Sequence, residues 1–480
     1  MKGTKTREAK YDAVVIGSGP NGLAAAITMA REGLSVKVFE ASETIGGGTR
    51  TQGLTLPGFR HDVCSAIHPM AKTSPFLKSL PLEEYGLKWI YPEYPLAHPL
   101  DGESPAVLHR SFSDTVASLG KDGPAYRKLF EPLVQNWESL APQLLGPFSP
   151  VPKTPLLMAR FGLKALQSAE GLAQSTFSTE RAKALFAGLA AHSILPLDKI
   201  STSAIGLVLG AVGHVENWPF PEGGSHAITR AMAEHLKTLG GEIETSRHIT
   251  SLAELPTSKV IFFNTTPAQL LDIAGDYVPS KYAGKVSNFE YGAGVFKIDL
   301  ALDEPIPWKD EACRKAGTVH VGGTLEEIVA SEQCLKTGRH SEKPYVLVAQ
   351  QSLFDDTRAP EGKHTCWAYC HVPAGSTKDM TEPILNQIER FAPGFRDVII
   401  GQYTMNTRAM HDYNPNYIGG DINGGRQDIT QLFTRPAGLF DPYNVPGTNM
   451  YISSSSTPPG GGVHGMCGYH AAQSALKEFG

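Results

Sequence analysis

The sequence predicts an α/β protein. A dinucleotide-binding domain, discontinuous in sequence, is joined to a second, α+β substrate domain built of an antiparallel sheet and a helical insertion. Three observations carry this. The chain opens on a strand, a glycine turn, a helix and a second strand in unbroken order. After Met70 that alternation gives way to scattered prolines, glycines and helical stretches. Short apolar runs and small-residue turns then return near Val260 and again near Met450, so the chain goes back to its first sheet. The first domain is therefore drawn as 1–69, 220–285 and 415–480, and the substrate domain as 70–219 and 286–414.

The opening unit carries most of the chemistry. Residues 11–16 are a short apolar run suited to a fully buried strand. Gly17, Gly19 and Gly22 follow in a G-x-G-x-x-G turn that includes Pro20 and Asn21, and residues 23–31 are alanine-rich and helical up to Gly33. Residues 34–39 form the second strand, which ends on Glu40. This is the Rossmann-like pattern: one glycine for the tight turn, one for backbone approach to a pyrophosphate, one for helix–strand packing. The helix N-terminus offers N–H groups and partial positive charge to phosphates. Glu40 is placed to accept hydrogen bonds from a ribose. Ala41 follows it, and Gly46, Gly47, Gly48, Thr49 and Arg50 then make a loop whose backbone can lie against a ligand. Arg50 adds a cation near the phosphates. Ser65 and Ala66, small residues between Cys64 and His68, suit close approach to a flat ring.

The totals exclude several classes. With 480 residues, 41% hydrophobic and 19% charged, the chain suits a protein with a sizeable core. A net charge of −5 makes no electrostatic case for nucleic acid. No apolar run reaches the ~20 residues of a membrane span, and the polar N-terminus lacks a secretory pattern, so the cytoplasm is the expected compartment. None of the six cysteines forms a C-x-x-C pair. Cys366 and Cys370 would share one face of a strand with His371 on the other, so buried thiols are expected and no metal.

Further along, residues 125–140 are expected to be helical, and 156–172 to form one amphipathic helix. Met158, Phe161, Ala165, Leu166, Ala169 and Leu172 gather on one side of it, with Arg160, Lys164 and Gln167 opposite. Such a helix normally packs on its own domain; its basic face keeps a peripheral membrane contact open as the alternative. Ile228, Ala231, Met232, His235 and Leu236 mark another helix. Between 292 and 402 the apolar runs 295–302, 345–349 and 366–372 read as an antiparallel sheet roofing a pocket. Residues 449–452 are a strand, and the small-residue turn after them leads into a helix expected over 463–476.

These separated motifs, with Pro221-Glu222-Gly223-Gly224, Gly419 to Gly425 and Ser456 to Gly465, together resemble the FAD-dependent oxidoreductases related to phytoene desaturase. That family lies within the amine-oxidase-type flavoproteins, and the likeness is strongest to the branch near pyridine nucleotide-disulfide oxidoreductase domain-containing protein 2. The resemblance implies non-covalent FAD along the first domain, with Glu40 on the adenosine ribose, Arg50 and its glycines along the pyrophosphate, and Ile249 at the adenine. It also implies that Ser454, Gly461, Gly462 and Val463 lie at the flavin, with the following helix facing its pyrimidine side. Ser454 departs from the glycine usual in carotenoid desaturases, and residues 246–259 are short for the strand pair usual near Ile249. His68, His214, Trp218 and His464 lie in or beside motifs expected near the ring and are the catalytic candidates. The expected function is hydride removal from, or desaturation of, an apolar lipid- or isoprenoid-like substrate. The alternatives are a flavin-dependent amine oxidase, a non-redox double-bond isomerase on reduced FAD, and a non-catalytic flavin-binding scaffold. A disulfide reductase would need a second nucleotide domain and a cysteine pair.

Overall fold

The computed structural model describes residues 9–432, 434–439 and 441–479; residues 1–8, most of the polar segment read as non-secretory, lie outside them. Twelve strands make its two large sheets: β1 (Tyr11–Ile16), β2 (Val36–Phe39), β3 (Tyr94–Leu100), β4 (Glu103–Leu108), β5 (Glu242–Glu244), β6 (Ser258–Phe263), β7 (Gly294–Leu302), β8 (Ala316–Val321), β9 (Val346–Ala349), β10 (His364–Val372), β11 (Ile399–Met405) and β12 (Met450–Ile452). The helices that shape the site are α1 (Pro20–Arg31), α2 (Gly123–Gln135), α3 (Trp137–Leu144), α4 (Pro155–Ala165), α5 (Ala169–Thr176), α6 (Glu180–Ala191), α7 (Thr202–Val215), α8 (His226–Thr238), α9 (Thr381–Phe391) and α10 (Met466–Leu476).

The first sheet is five-stranded and parallel, in the order β12-β6-β1-β2-β5. Ala13, Val14 and Val15 are fully buried because helices and loops cover both faces, as a parallel sheet requires. α1 begins on Pro20, whose fixed φ suits a first helical position. It packs against α10 at backbone contact: a Cβ on Gly468 would sit 1.7 Å from the Asn21 carbonyl oxygen.

The second sheet is seven-stranded, in the order β11-β7-β10-β9-β8-β3-β4, antiparallel except where β3 meets β8. Alternation splits its residues cleanly. Ile298, Val319, Val348, Cys366 and Cys370 join the apolar cluster with Ile384 and Ile388 of α9. Trp367 and Tyr369 belong to the larger core on the opposite side. Among the described residues no group of three or more histidine, cysteine or carboxylate side chains could hold a metal.

The mostly helical stretch expected over 70–219 also supplies β3 and β4. Two local expectations are corrected. The helix over 125–140 is two helices, broken at Asn136, whose Nδ2 donates to the Pro132 carbonyl 2.9 Å away and competes with the backbone ladder. The helix over 156–172 is also two, α4 and α5. The break between them is held by Ser203 Oγ, which donates to the Lys164 and Gln167 carbonyls, and by Ser168, whose side chain caps α5. Leu166, placed by periodicity on the buried side, is 52% exposed.

Candidate active site

A cavity of ≈ 370 Å³ lies at the carboxyl end of β1, where the order of the parallel sheet reverses, and runs on to the second sheet. Gly17, Gly19, Pro20, Asn21, Glu40 and Ala41 line its first part, with Ile249 beside them. Gly17 has φ +97°, the left-handed geometry that the tight turn needs. Gly22 does not reach the cavity wall; a Cβ there would stand 2.0 Å from the Gly17 carbonyl oxygen, so it serves packing of α1 on the turn.

Glu40 is buried and fully engaged. One carboxylate oxygen accepts from Ser18 N (2.9 Å) and Ser18 Oγ (2.6 Å), the other from Ser42 N (2.9 Å) and Arg50 Nη2 (3.0 Å). Arg50 also donates to the Thr44 carbonyl and stands 5.6 Å from the Tyr413 ring centre. Asn264, delivered by the end of β6, takes part of the helix terminus. With its amide assigned from the hydrogen-bond network, its oxygen accepts from Gly19 N and Gly22 N at 3.2 Å. Two of the amides expected to face phosphates therefore already have a protein partner.

The middle of the cavity is made of small residues. Gly47, Gly48, Thr49 and Arg50 form one wall and Ser65 and Ala66 another. Ser65 Oγ donates to the Gly48 carbonyl at 2.8 Å. Ser454, Gly462 and Val463 close it from the C-terminal loop. Gly461 is not on the wall: a Cβ there would meet Asn423 at 3.0 Å. The buried Asp421 orders the opposing loop by accepting from Gly292 N, Asn423 N and Gly425 N. The last helix, α10, begins at Met466, three residues later than expected, because Gly465 at φ +70° precedes it and His464 Nδ1 accepts from Met466 N.

Of the four catalytic candidates, His68 and Trp218 line the cavity and His214 and His464 do not. His68 Nε2 pairs with Ser225 Oγ at 2.7 Å, and burial lowers its pKa to about 4, so it is neutral at pH 7. His214 lies on α7, bonded to the Tyr126 hydroxyl at 2.8 Å, and stays off the cavity wall. His464 turns toward its own helix start.

The far end is walled by His192, Leu209, Trp218, Leu347, Trp367 and Tyr369. His192, Trp367 and Tyr369 belong to none of the sequence motifs. The signal for two of them is the alternation along β10, which puts Cys366 and Cys370 on one face and Trp367 and Tyr369 together on the other. No Asp, Glu, Lys or Arg lines this end among the described residues. Behind it lie buried ions: Lys297 paired with Asp299, and Arg358 with Asp62 at 2.7 Å. Burial raises the pKa of Asp299 to about 6, with Lys297 opposing the shift. Burial lowers that of His61, 3.6 Å from Asp299, to about 3.

The cavity fits a dinucleotide. A Cβ on Gly48 would lie 2.6 Å from the Tyr417 hydroxyl and one on Gly47 3.2 Å from Gly19 Cα, so the cradle tolerates only bare backbone. Asn21 Oδ1 and Ser456 Oγ are buried on its walls without a protein partner.

Residues 15–80 match the family model of the NAD(P)-binding Rossmann-like domain. Pyridine nucleotide-disulfide oxidoreductase domain-containing protein 2 of Rattus norvegicus is 24% identical, over 98% of this chain and 94% of its own. Lycopene-forming phytoene desaturase of Pseudescherichia vulneris is 24% identical, over 59% and 61%, and a 4,4'-diapophytoene desaturase of Staphylococcus aureus 22%, over 94% and 95%. Homologues of this chain thus include phytoene and diapophytoene desaturases. These relatives support an oxidoreductase. Putrescine oxidase with bound putrescine shares the fold, with a TM-score of 0.59 at 18% identity over 98% of this chain and 99% of that one.

Proposed function

We propose that the protein is an oxidoreductase with non-covalently held FAD that removes a hydride from an apolar, lipid- or isoprenoid-like substrate. The observation that carries this reading is the single cavity that joins a glycine-rich dinucleotide cradle to an aromatic and aliphatic end without a carboxylate or a cation. Gly17, Gly19 and Arg50 would line the adenosine and pyrophosphate part, with Ile249 at the adenine, while Glu40, whose four acceptor sites the protein already fills, braces Ser18, Ser42 and Arg50 around it. Gly48, Ser65, Ala66, Ser454, Gly462 and Val463 would hold the ring. A bound flavin supplies the two-electron chemistry. The chain's own share is to exclude water and orient the substrate: Trp367 and Tyr369, with ring centres 5.0 Å apart and planes at 81°, form a stiff wall for an apolar chain.

The non-covalent reading draws on the thiols. Cys467 is off the cavity wall, its Sγ facing the Thr457 and Gly460 carbonyls, and the Cys64 thiol that does line the cavity is pushed up in pKa by burial. An amine oxidase is the weaker reading. Among the described residues no carboxylate is placed to meet an ammonium at the far end, and the Lys297 ammonium stands 5.9 Å from the Trp367 ring centre. The purified protein is expected to be yellow and to release its flavin on acid precipitation. Stopped-flow bleaching with polyene, fatty-acyl and amine panels tests the reaction. Bleaching by an amine alone would overturn the apolar reading, product without net bleaching would favour isomerisation, and silence throughout would favour a scaffold.

We also propose peripheral contact with an anionic membrane surface through α4. Leu156 (69% exposed), Leu163 (72%) and Ile200 (57%) stand out beside Arg160, Lys164 and Lys199. Serine 201 ties this patch to α7, since its N–H donates to the Leu166 carbonyl, and Leu209 of α7 lines the cavity. An apolar substrate would enter from the lipid side.

A further inference from the structure

His192 is the one ring at the apolar end of the cavity that combines partial exposure with a free nitrogen. It follows α6 directly, its Nε2 lies 3.0 Å from Nε2 of His320, and no hydrogen bond engages its Nδ1 among the described residues. Burial lowers the pKa of His192 to about 3 and holds that of His320 well below the ordinary range, so both rings are neutral at pH 7. Two neutral imidazoles sharing one N···N contact have one proton between them, and either ring can supply it.

The surroundings of His320 decide which. Its other nitrogen, Nδ1, is buried without a partner and abuts Gly188 of α6: a Cβ there would lie 2.8 Å from it. His98 Nδ1 approaches the same point, 3.1 Å from that Cβ position, yet no hydrogen bond joins the two rings. His98 Nε2 lies 2.7 Å from the Gly323 carbonyl, which only accepts, so His98 carries its proton on Nε2 and its Nδ1 is a bare lone pair. A proton on His320 Nδ1 would be an N–H buried against Gly188 and outside hydrogen-bond geometry to the His98 lone pair, the two ring centres standing 6.5 Å apart, and a buried donor left unmade is costly. His320 therefore keeps its proton on Nε2 and donates it to His192 Nε2. That leaves the proton of His192 on Nδ1, the nitrogen left for the cavity.

We propose that His192 presents a fixed Nδ1–H donor to the substrate, and that the substrate carries a neutral oxygen acceptor, a carbonyl or hydroxyl, on its apolar body. The inference rests on the far end of the cavity being the substrate end. A hydrocarbon has no acceptor for this donor, a protonated amine has only donors, and a carboxylate would bury its charge with no cation on the wall. His320 is a positioning residue: it sets the tautomer and does not line the cavity.

Two measurements on the purified holoprotein test this. ¹⁵N NMR of histidine-labelled protein, with His192 assigned through His192→Phe, should show Nδ1 protonated and Nε2 bare; the reverse pattern overturns the inference. Calorimetric titration should then compare a long-chain ketone, the matching alcohol and the alkane of equal length. The oxygenated ligands should bind about tenfold tighter than the alkane, a gap that His192→Phe removes and His320→Phe narrows by releasing the tautomer. Equal binding of ketone and alkane to the unsubstituted protein sinks this inference alone. Binding by none of the three sinks the apolar-substrate reading, and the inference with it.

Discussion

Glu40 shows how far a single residue can be read. Its distance past the glycine turn marks it as a nucleotide contact, and it does line the cavity. What the spacing does not carry is that Ser18, Ser42 and Arg50 together supply it with four donors. Those partners arrive from separate loops, two of them within motifs that the sequence reading assigned to phosphates. Glu40→Gln therefore leaves the buried Arg50 guanidinium without its carboxylate, and breaking such a pair costs ~3–5 kcal/mol. Chemical unfolding of the variant should show that loss, and flavin retention should weaken with it. An unchanged denaturation midpoint would mean that the pair does not hold this loop. Asn264 carries the same lesson. Nothing in its neighbourhood announces an amide that reaches Gly19 N and Gly22 N from another strand.

At the scale of elements, strand periodicity served well and helix periodicity less so. β1, β2, β7, β9, β10 and β12 were legible because each is a short apolar run between turn residues. The breaks at Asn136 and at 166–168 were not, because the side-chain amide of Asn136 itself and the Ser203 hydroxyl from a later segment take carbonyls that a continuing helix would use. The α1–α10 contact gives a test at this scale. Gly468→Ala puts a methyl 1.7 Å from the Asn21 carbonyl oxygen, where backbone must move. Overpacking a core costs ~1–3 kcal/mol, and this case should lie at or above the top of that range. A thermal midpoint within a degree of the unsubstituted protein would show that α10 slides freely on α1. The exposed leucines of α4 give a second. Leu156→Ser with Leu163→Ser should abolish sedimentation with anionic vesicles while leaving thermal stability unchanged; retained binding removes α4 as the contact. Among the described residues no helix is long and apolar enough to cross a membrane.

Across the whole molecule, buried neutral histidines set the response to acid. Burial lowers the pKa of His68, His98 and His464 to about 4 and of His192 and His214 to about 3. Unfolded histidines titrate near 6.5. Between about pH 6.5 and 4 the unfolded chain binds more protons at these sites, so stability falls as pH falls through that window. Asp299, with its pKa raised to about 6, works the other way from about pH 6 to 4, and burial raises Asp421 too, but these are two carboxylates against the five imidazoles named. The thermal midpoint should be flat above pH 7 and drop steadily from about 6.5 downward; a midpoint unchanged between pH 7 and 5 would contradict the buried-neutral assignment.

The sequence by itself determined the glycine turn, the acid that follows it, the parallel strands around them and the C-terminal return to the same sheet. Each of these is local: a turn that needs glycine, a buried strand that needs an unbroken apolar run, and an acid at a set distance from both. Only the tertiary structure decided what faces the far end of the cavity. Trp367 and Tyr369 on β10, Leu347 on β9, and His192 after α6 are far apart in the chain and carry no shared motif. They meet because the antiparallel ladder of β9 and β10 sets which side chains share a face, and because Gly188 lets α6 close on His320. Which nitrogen of His192 bears the proton is decided further out still, by a glycine and two histidines that do not line the cavity. That is a property of packing in three dimensions, and no spacing along the chain encodes it.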